Sequence, residues 1–321
     1  MKREKVIEYL EKTYSGEKSR WIGSGWSSDA FEVGDKIIRI PKAKTKPYIK
    51  EAALLECLLG RLSVQIPQPH VIKEPFFYVE HKKIEGHSWN IDTYNRLSSA
   101  QQELFARDIA HFFAEVHAIP CSVVQKAIPK NGAIDRLFTL KQFQAYLGPY
   151  FSADDIALLY HWTSDTLKPR GELVLLHRDF QKGNSVVDEN HRLVGVFDWA
   201  NAAIDEPAWD FMSLRYSSYA QLLNLVLRFY QEETGRVIDP QRISDLAGAD
   251  MLPRVQYLAR FLKQGEEPPK EWMKTIRNIR KLLKKIKKRE GIGTKIKFFI
   301  IKLKKVLSYL RLPPKEAMAK Q

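Results

Sequence analysis

Hydrophobic and polar positions change rhythm along this chain of 321 residues. Within 21–41, "WIGSGWSSDAFEVGDKIIRIP", the β-prone runs "AFEV" and "KIIRI" flank Gly34-Asp35, which predicts a hairpin. Residues 47–62 then place apolar side chains at helical spacing. "IPQPH" breaks that helix, and "FFYVEHKKIEG" predicts a strand running into a linker. Helical patterns dominate 92–118 and 136–168 and return over 208–235 and 241–264. Between them lie two short apolar runs, "LVLL" (173–176) and "LVGVF" (193–197). No internal repeat is present. Strands gathered early and helices gathered late predict an α+β fold in two lobes, a small β-rich one over 1–83 and a larger, mainly helical one over 84–269.

The two short apolar runs carry the chemistry. "LVLL" leads into "HRDFQKGN" (177–184), and "LVGVF" leads into Asp198. With "DENHR" (188–192) as the turn, the two runs are expected to pair as a hairpin. That pairing gathers Asp179, Asn184 and Asp198 at one end. Two carboxylates and an amide oxygen suit a hard cation such as Mg²⁺, and an aspartate beside the ion can accept a hydroxyl proton.

"HRDFQKGN" followed by "FDW" resembles the catalytic loop and metal-binding segment of protein-kinase-like enzymes. With "NAAIDEPAWDF" (201–211) it is most similar to the aminoglycoside phosphotransferase family. The likeness covers roughly residues 20–262. It implies a protein-kinase-like fold and phosphoryl transfer from ATP or GTP to a hydroxyl of a small molecule. Asp179 is then the catalytic base, Asn184 and Asp198 hold Mg²⁺, and Asp210 buttresses the loop. A protein kinase is the poorer match: 11 residues separate Asp198 from Asp210, too few for an activation loop, and no Ala-Pro-Glu follows. A reading from another class is a catalytically silent scaffold anchored by its basic tail; intact Asp179, Asn184 and Asp198 argue against it. Arg178 is expected to brace the loop by an ion pair.

The upstream half is expected to cover the phosphates. "GSGWSS" (23–28) offers Gly23 and Gly25 for close backbone approach, with Ser27 and Ser28 as hydroxyl donors. Where the family usually has a phosphate-binding lysine, this chain has Arg39, whose guanidinium forks to phosphate or carboxylate oxygens. Glu51 is its expected partner, with Glu56 as the rival. Lys42, the rival cation, is expected to face solvent. Residues 78–86 are the expected hinge to a nucleotide base. His117 ends an apolar helix face and reads as a core or cap residue. Candidate acids for a cationic acceptor are Asp205, Glu206, Glu232, Glu233, Asp245 and Asp250, but they are scattered and read better as solvated surface.

Charge changes the picture only at the end of the chain. Residues 270–321 hold 18 Lys/Arg against 3 Asp/Glu, leaving 34 against 35 in the preceding 269, so the body is neutral and the tail basic. Trp272, Ile276, Ile279, Leu283 and Ile286 form one apolar stripe, and Ile296, Phe299, Leu303, Val306 and Leu310 another. "GIG" (291–293) predicts a break between two basic amphipathic helices. The stripes either pack on the large lobe or on each other, leaving the lysines solvated, or, with Phe298 and Ile301 among the lysines, meet an anionic membrane surface. Nucleic acid is disfavoured, since no aromatic platform or base-reading motif accompanies the lysines. The two cysteines support no disulfide framework or zinc site, and no signal-peptide pattern opens the chain. The expected setting is the cytoplasm, free or peripheral at the membrane.

Overall fold

The computed structural model describes residues 3–25, 27–128, 137–215, 219–262 and 267–309, with side chains described as far as Arg289. In chain order the elements are α1 (Arg3–Thr13), β1 (Ser19–Ser24), β2 (Ser28–Val33), β3 (Lys36–Pro41), α2 (Lys46–Leu58), β4 (His70–Ile72) and β5 (Tyr78–Lys82). The helical part follows with α3 (Ile91–Asn95), α4 (Ser99–Ala118), α5 (Cys121–Val124), α6 (Leu140–Leu147) and α7 (Ala153–Thr166). A small β insert holds β6 (Val174–Leu176), β7 (Ser185–Val187), β8 (Leu193–Val196) and β9 (Ala203–Asp205). The last helices are α8 (Ala220–Thr234), α9 (Pro240–Ala249), α10 (Met251–Leu258) and α11 (Lys270–Tyr309). This is the α+β arrangement of a protein-kinase-like fold. Two compact units form, one from Met1–Arg136 with Thr166–Ala247, the other from Leu137–Asp165 with Gly248–Gln321.

In the first unit, five antiparallel strands run in the order β1-β2-β3-β5-β4. The predicted hairpin is β2–β3, closed at Val33↔Lys36 with Gly34 at φ 55°. Strand alternation sorts its side chains. Phe31, Val33 and Ile38 face one side and pack with Val6 and Leu10 of α1. Arg39 takes the opposite side, level with Ala30 and Val79. Helix α2 turns Tyr48, Glu51, Leu54, Leu55 and Leu58 inward. Helix α4 starts at a capping box of Ser98 and Gln101, and its length buries an aromatic face.

The β insert pairs differently from the sequence expectation. "LVLL" does not join "LVGVF": β6 pairs with β9, and β8 pairs with β7, a three-residue strand directly after Asn184. The turn at 188–192 closes the nearer pair, because a shorter loop costs less entropy to close. Strands as short as β7 and β9 leave no periodicity to detect.

The second unit has its own core. Trp272, Ile276, Ile279, Leu283 and Ile286 of α11 pack with Phe143 and Leu147 of α6, Ile156 and Leu159 of α7, and Leu252 and Val255 of α10. Each of these five α11 side chains is 5% exposed or less. The first stripe is therefore core, and the membrane-surface expectation loses its apolar contact there. The expected break at "GIG" is absent, since α11 continues through 291–293. Each glycine costs a helix about 1 kcal/mol, which strong helix formers on both sides outweigh. The side chains of the second stripe, and those of Phe298 and Ile301, lie outside the described residues, as does Leu310 altogether. Among the described residues no helix is long and apolar enough to cross a membrane.

Candidate active site

The site is built on two turns, one after β6 and one after β8. At the end of β6, His177 is wholly buried. Its Nδ1 accepts from the backbone N–H of Asp179 (3.2 Å), and its Nε2 donates to the carbonyl of Phe197 (3.2 Å). Those partners fix the neutral tautomer, and burial pushes the imidazole pKa down in the same sense. Arg178 adopts φ 65°, and its backbone N–H and that of His177 are both claimed by one carboxylate. Asp210 accepts from His177 N (3.1 Å) and Arg178 N (2.5 Å). His117 bridges the same carboxylate (3.0 Å) and the hydroxyl of Tyr230 (2.8 Å). His117 is thus a core residue that anchors Asp210. Arg178 braces the turn through its guanidinium, 4.1 Å from the Trp209 ring centroid.

Asp179 emerges from this rigid turn half-buried. Its Oδ1 accepts from Gln181 Nε2 (3.0 Å) and its Oδ2 from Asn201 Nδ2 (3.2 Å). Burial, then the negative charge of Asp198, pushes its pKa up to about 6. Asn184 donates from Nδ2 to the Asp179 carbonyl (2.8 Å), which turns its amide oxygen the other way. Its own carbonyl accepts from Phe197 N (2.9 Å), so Asn184 and Asp198 flank the open end of hairpin β7–β8. Asp198 holds φ 65°, a left-handed conformation that aspartate tolerates better than most residues. The hairpin is itself fixed on both sides, by a bridge from Gln65 to Gly195 and one from His87 to Val187.

The upstream residues reach the same place. Arg39 Nη1 contacts both oxygens of Glu51 (3.0 Å each), and Nη2 donates to Asp198 Oδ1 (3.3 Å). Burial opposes the guanidinium's charge, but the two carboxylates outweigh it and raise its pKa. Glu51 also accepts from Trp199 N (2.8 Å), joining α2 to the turn after β8. The expected Arg39–Glu51 pair is formed, while Glu56 is exposed.

The glycine-containing loop shows more than the sequence suggested. Gly25 N donates to Ser28 O (2.9 Å), and a Cβ on Gly23 would meet open space. Ser27 is exposed, and its Oγ accepts from the Tyr48 hydroxyl (2.9 Å). Ser28 is buried in β2 opposite Pro41. Lys42 is exposed, as expected, and its Nζ also donates to Ser24 Oγ (2.7 Å) and Gly25 O (2.5 Å). The sequence assigned no role to Tyr48, Gln181 or Asn201, although the last two lie inside the motifs it singled out, because nothing in those motifs says which atom a tyrosine, glutamine or asparagine will meet.

Two of the scattered acids are not surface residues. Asp205 and Glu206 are 2% and 3% exposed. Glu206 is bound by Arg242, which also donates to Lys168 O (3.0 Å). Glu232 pairs with Arg107 and Arg228, Glu233 with His111, and Asp245 accepts from Gln241. A cavity of about 710 Å³, lined among others by Leu58, Val64, Glu80 and Ile84, includes none of Arg39, Asp179, Asn184 or Asp198.

A strand-borne cation paired to a helix glutamate, a pinned His-Arg-Asp turn and an Asp-Trp turn beside it define a kinase-fold phosphotransferase. The chain belongs to the phosphotransferase enzyme family, whose model matches residues 20–246. Solved structures share the fold. The GDP complex of wild-type aminoglycoside 2'-phosphotransferase-IIIa is similar at a TM-score of 0.67 and 19% identity, covering 91% of this chain and 100% of that one. The streptomycin–ATP ternary complex of APH(2")-IIa gives 0.65 and 22%, covering 88% and 97%. Macrolide 2'-phosphotransferase MphH from Brachybacterium faecium gives 0.62 and 17%, covering 81% and 94%. Among curated sequences, the uncharacterized protein YcbJ of Bacillus subtilis (strain 168) is 28% identical over 76 residues, which span 24% of this chain and only 25% of that relative.

Proposed function

We propose that this protein transfers the γ-phosphate of ATP or GTP to a hydroxyl of a small molecule. The observation that carries this reading is the Asp179 carboxylate. It is oriented by Gln181 and Asn201, and it stands on a turn whose backbone is held by Asp210. A carboxylate with a pKa raised to about 6 is ionised at neutral pH yet basic enough to take a proton. In the transfer, the acceptor oxygen forms a bond to the γ-phosphorus while the bond from that phosphorus to the β,γ-bridging oxygen breaks. The acceptor's proton passes to Asp179, and the nucleoside diphosphate leaves. Arg39, held by Glu51, supplies fixed positive charge to the phosphates.

The residues present fit a magnesium ion. Asn184 keeps its amide oxygen free by donating through Nδ2, and Asp198 has one carboxylate oxygen beyond the one that meets Arg39. Among the described residues no cluster of three His, Cys, Asp or Glu side chains forms a metal site. A few oxygen donors that leave room for water and phosphate are what magnesium on a nucleotide uses. The ion would supply charge neutralisation to the phosphates. Relatives of the same fold are described with aminoglycosides or as macrolide enzymes, which supports a hydroxylated small molecule as acceptor. The scaffold alternative is not favoured, because nothing in the set from Arg39 to Asp198 is missing.

The test is a panel of hydroxylated metabolites and antibiotics, with nucleoside diphosphate release as the readout. On whichever acceptor responds, Asp179→Asn is expected to lose about 10²–10⁴ in turnover while binding nucleotide normally. A variant that turns over like wild type removes Asp179 from the mechanism.

A further inference from the structure

Helix α2 is tied to the glycine-containing loop as well as to Arg39, and one side chain makes both connections. Tyr48 lies in the first turn of α2, three residues before Glu51, and is 3% exposed. Its hydroxyl donates to Ser27 Oγ (2.9 Å). Its ring lies 5.1 Å from the Arg39 guanidinium carbon. The loop is gripped from β3 as well: Lys42 N donates to Ser27 O (2.8 Å), and Lys42 Nζ meets Ser24 Oγ and Gly25 O. A hairpin turn that served only to reverse the chain would be closed by its own backbone, as Gly25 N to Ser28 O already does (2.9 Å). A buried helix tyrosine is superfluous to that.

The hydrogen-bonding capacity of Ser27 gives the tether a purpose. A serine hydroxyl has one proton and two lone pairs. Tyr48 fills a lone pair of Ser27, and among the described residues none accepts the Ser27 proton. Ser27 is an exposed residue, on the loop that covers the phosphate site in the kinase reading. We infer that Tyr48 is a positioning residue for the nucleotide phosphates: it orients the Ser27 hydroxyl as a phosphate donor and sets the loop in register with Arg39. The inference rests on the kinase reading and adds a determinant of triphosphate affinity to it. Through Tyr48 and Glu51, α2 carries the loop, the guanidinium and the turn at Trp199 as one unit.

The experiment is calorimetric binding of ATP and GTP, each with Mg²⁺, to wild type, Tyr48→Phe, Ser27→Ala and the double variant. The parent nucleosides are titrated as competitors. Phenylalanine keeps the buried ring and its place under Arg39, and Ser27 is exposed, so neither change opens the core. Loss of one hydrogen bond predicts triphosphate binding weaker by about 3- to 10-fold in each single variant. The double variant should be no weaker than the worse single one, because both remove the same interaction. Nucleoside affinity should stay at the wild-type value. Unchanged triphosphate affinity in Tyr48→Phe, additive losses in the double variant, or an equal loss for the nucleoside each overturns the inference while leaving the kinase reading intact. A wild-type protein that binds neither ATP nor GTP overturns both.

Discussion

Asp179 destabilises the fold that carries it. Its folded pKa of about 6 lies above the unfolded value of about 3.9, so the ionised form is penalised in the folded state. That penalty is fully present above pH 7, shrinks as pH falls through 6, and is gone below about 4. Raising a carboxyl pKa from about 4 to about 6 costs about 3 kcal/mol in full, and solvent screening of a half-buried carboxylate reduces this to about 1–2. Asp179→Asn should therefore melt higher than wild type at pH 8, in EDTA and without nucleotide, and the difference should vanish at pH 4. Equal stability at both pH values would remove the burial argument. At this scale the sequence was informative where residue chemistry is unusual. Arg39 on a strand and Glu51 on the next helix were legible as a pair, because the family resemblance marks that strand position for a cation and a guanidinium forks to a carboxylate. The contacts of Asn201 and Lys42 were not, since an asparagine or lysine has many possible partners and only the folded chain selects one.

Hairpin β7–β8 determines whether Asn184 and Asp198 share a place. It is held against the linker after β5, and the close approach requires Gly86. That glycine sits at φ 148°, and a Cβ there would come within 2.9 Å of Val186 Cβ and of Val187 O. Gly86→Ala combines backbone strain with a clash and should cost about 2–4 kcal/mol in denaturant unfolding. Gly23→Ala, with open space at its Cβ, should cost under about 1. If the two cost the same, the linker is not what fixes the hairpin. The sequence indicated that two apolar runs carried the polar turns, and the turns are where it put them. It misassigned the partners because three-residue strands such as β7 and β9 have no period of their own. Their pairing is set by the length of the loop to be closed and by what lies beside them.

Over the whole molecule, the tail changes character most. Its first apolar stripe closes the core of the second unit, where Ile279 is wholly buried. Ile279→Ala should cost about 2–5 kcal/mol and should raise amide exchange in α6, α7 and α10 together, since they share that core. Exchange that rises in α11 alone would show the helix to be an appendage. Sequence by itself determined the local quantities: the β-then-α order, the hairpin at Gly34, the amphipathic period of the tail, and the residue types that phosphoryl transfer needs. These follow from short-range sterics, periodicity and intrinsic chemistry. Tertiary structure alone decided the rest. It set which strand β8 pairs with, joined Tyr48 to Ser27, recruited His117 to Asp210, and covered the stripe of α11 with protein. Apart from β8, which pairs across a short turn, those outcomes depend on bringing distant segments around a shared core, and no short stretch of sequence contains the energy of a contact whose other half lies far along the chain.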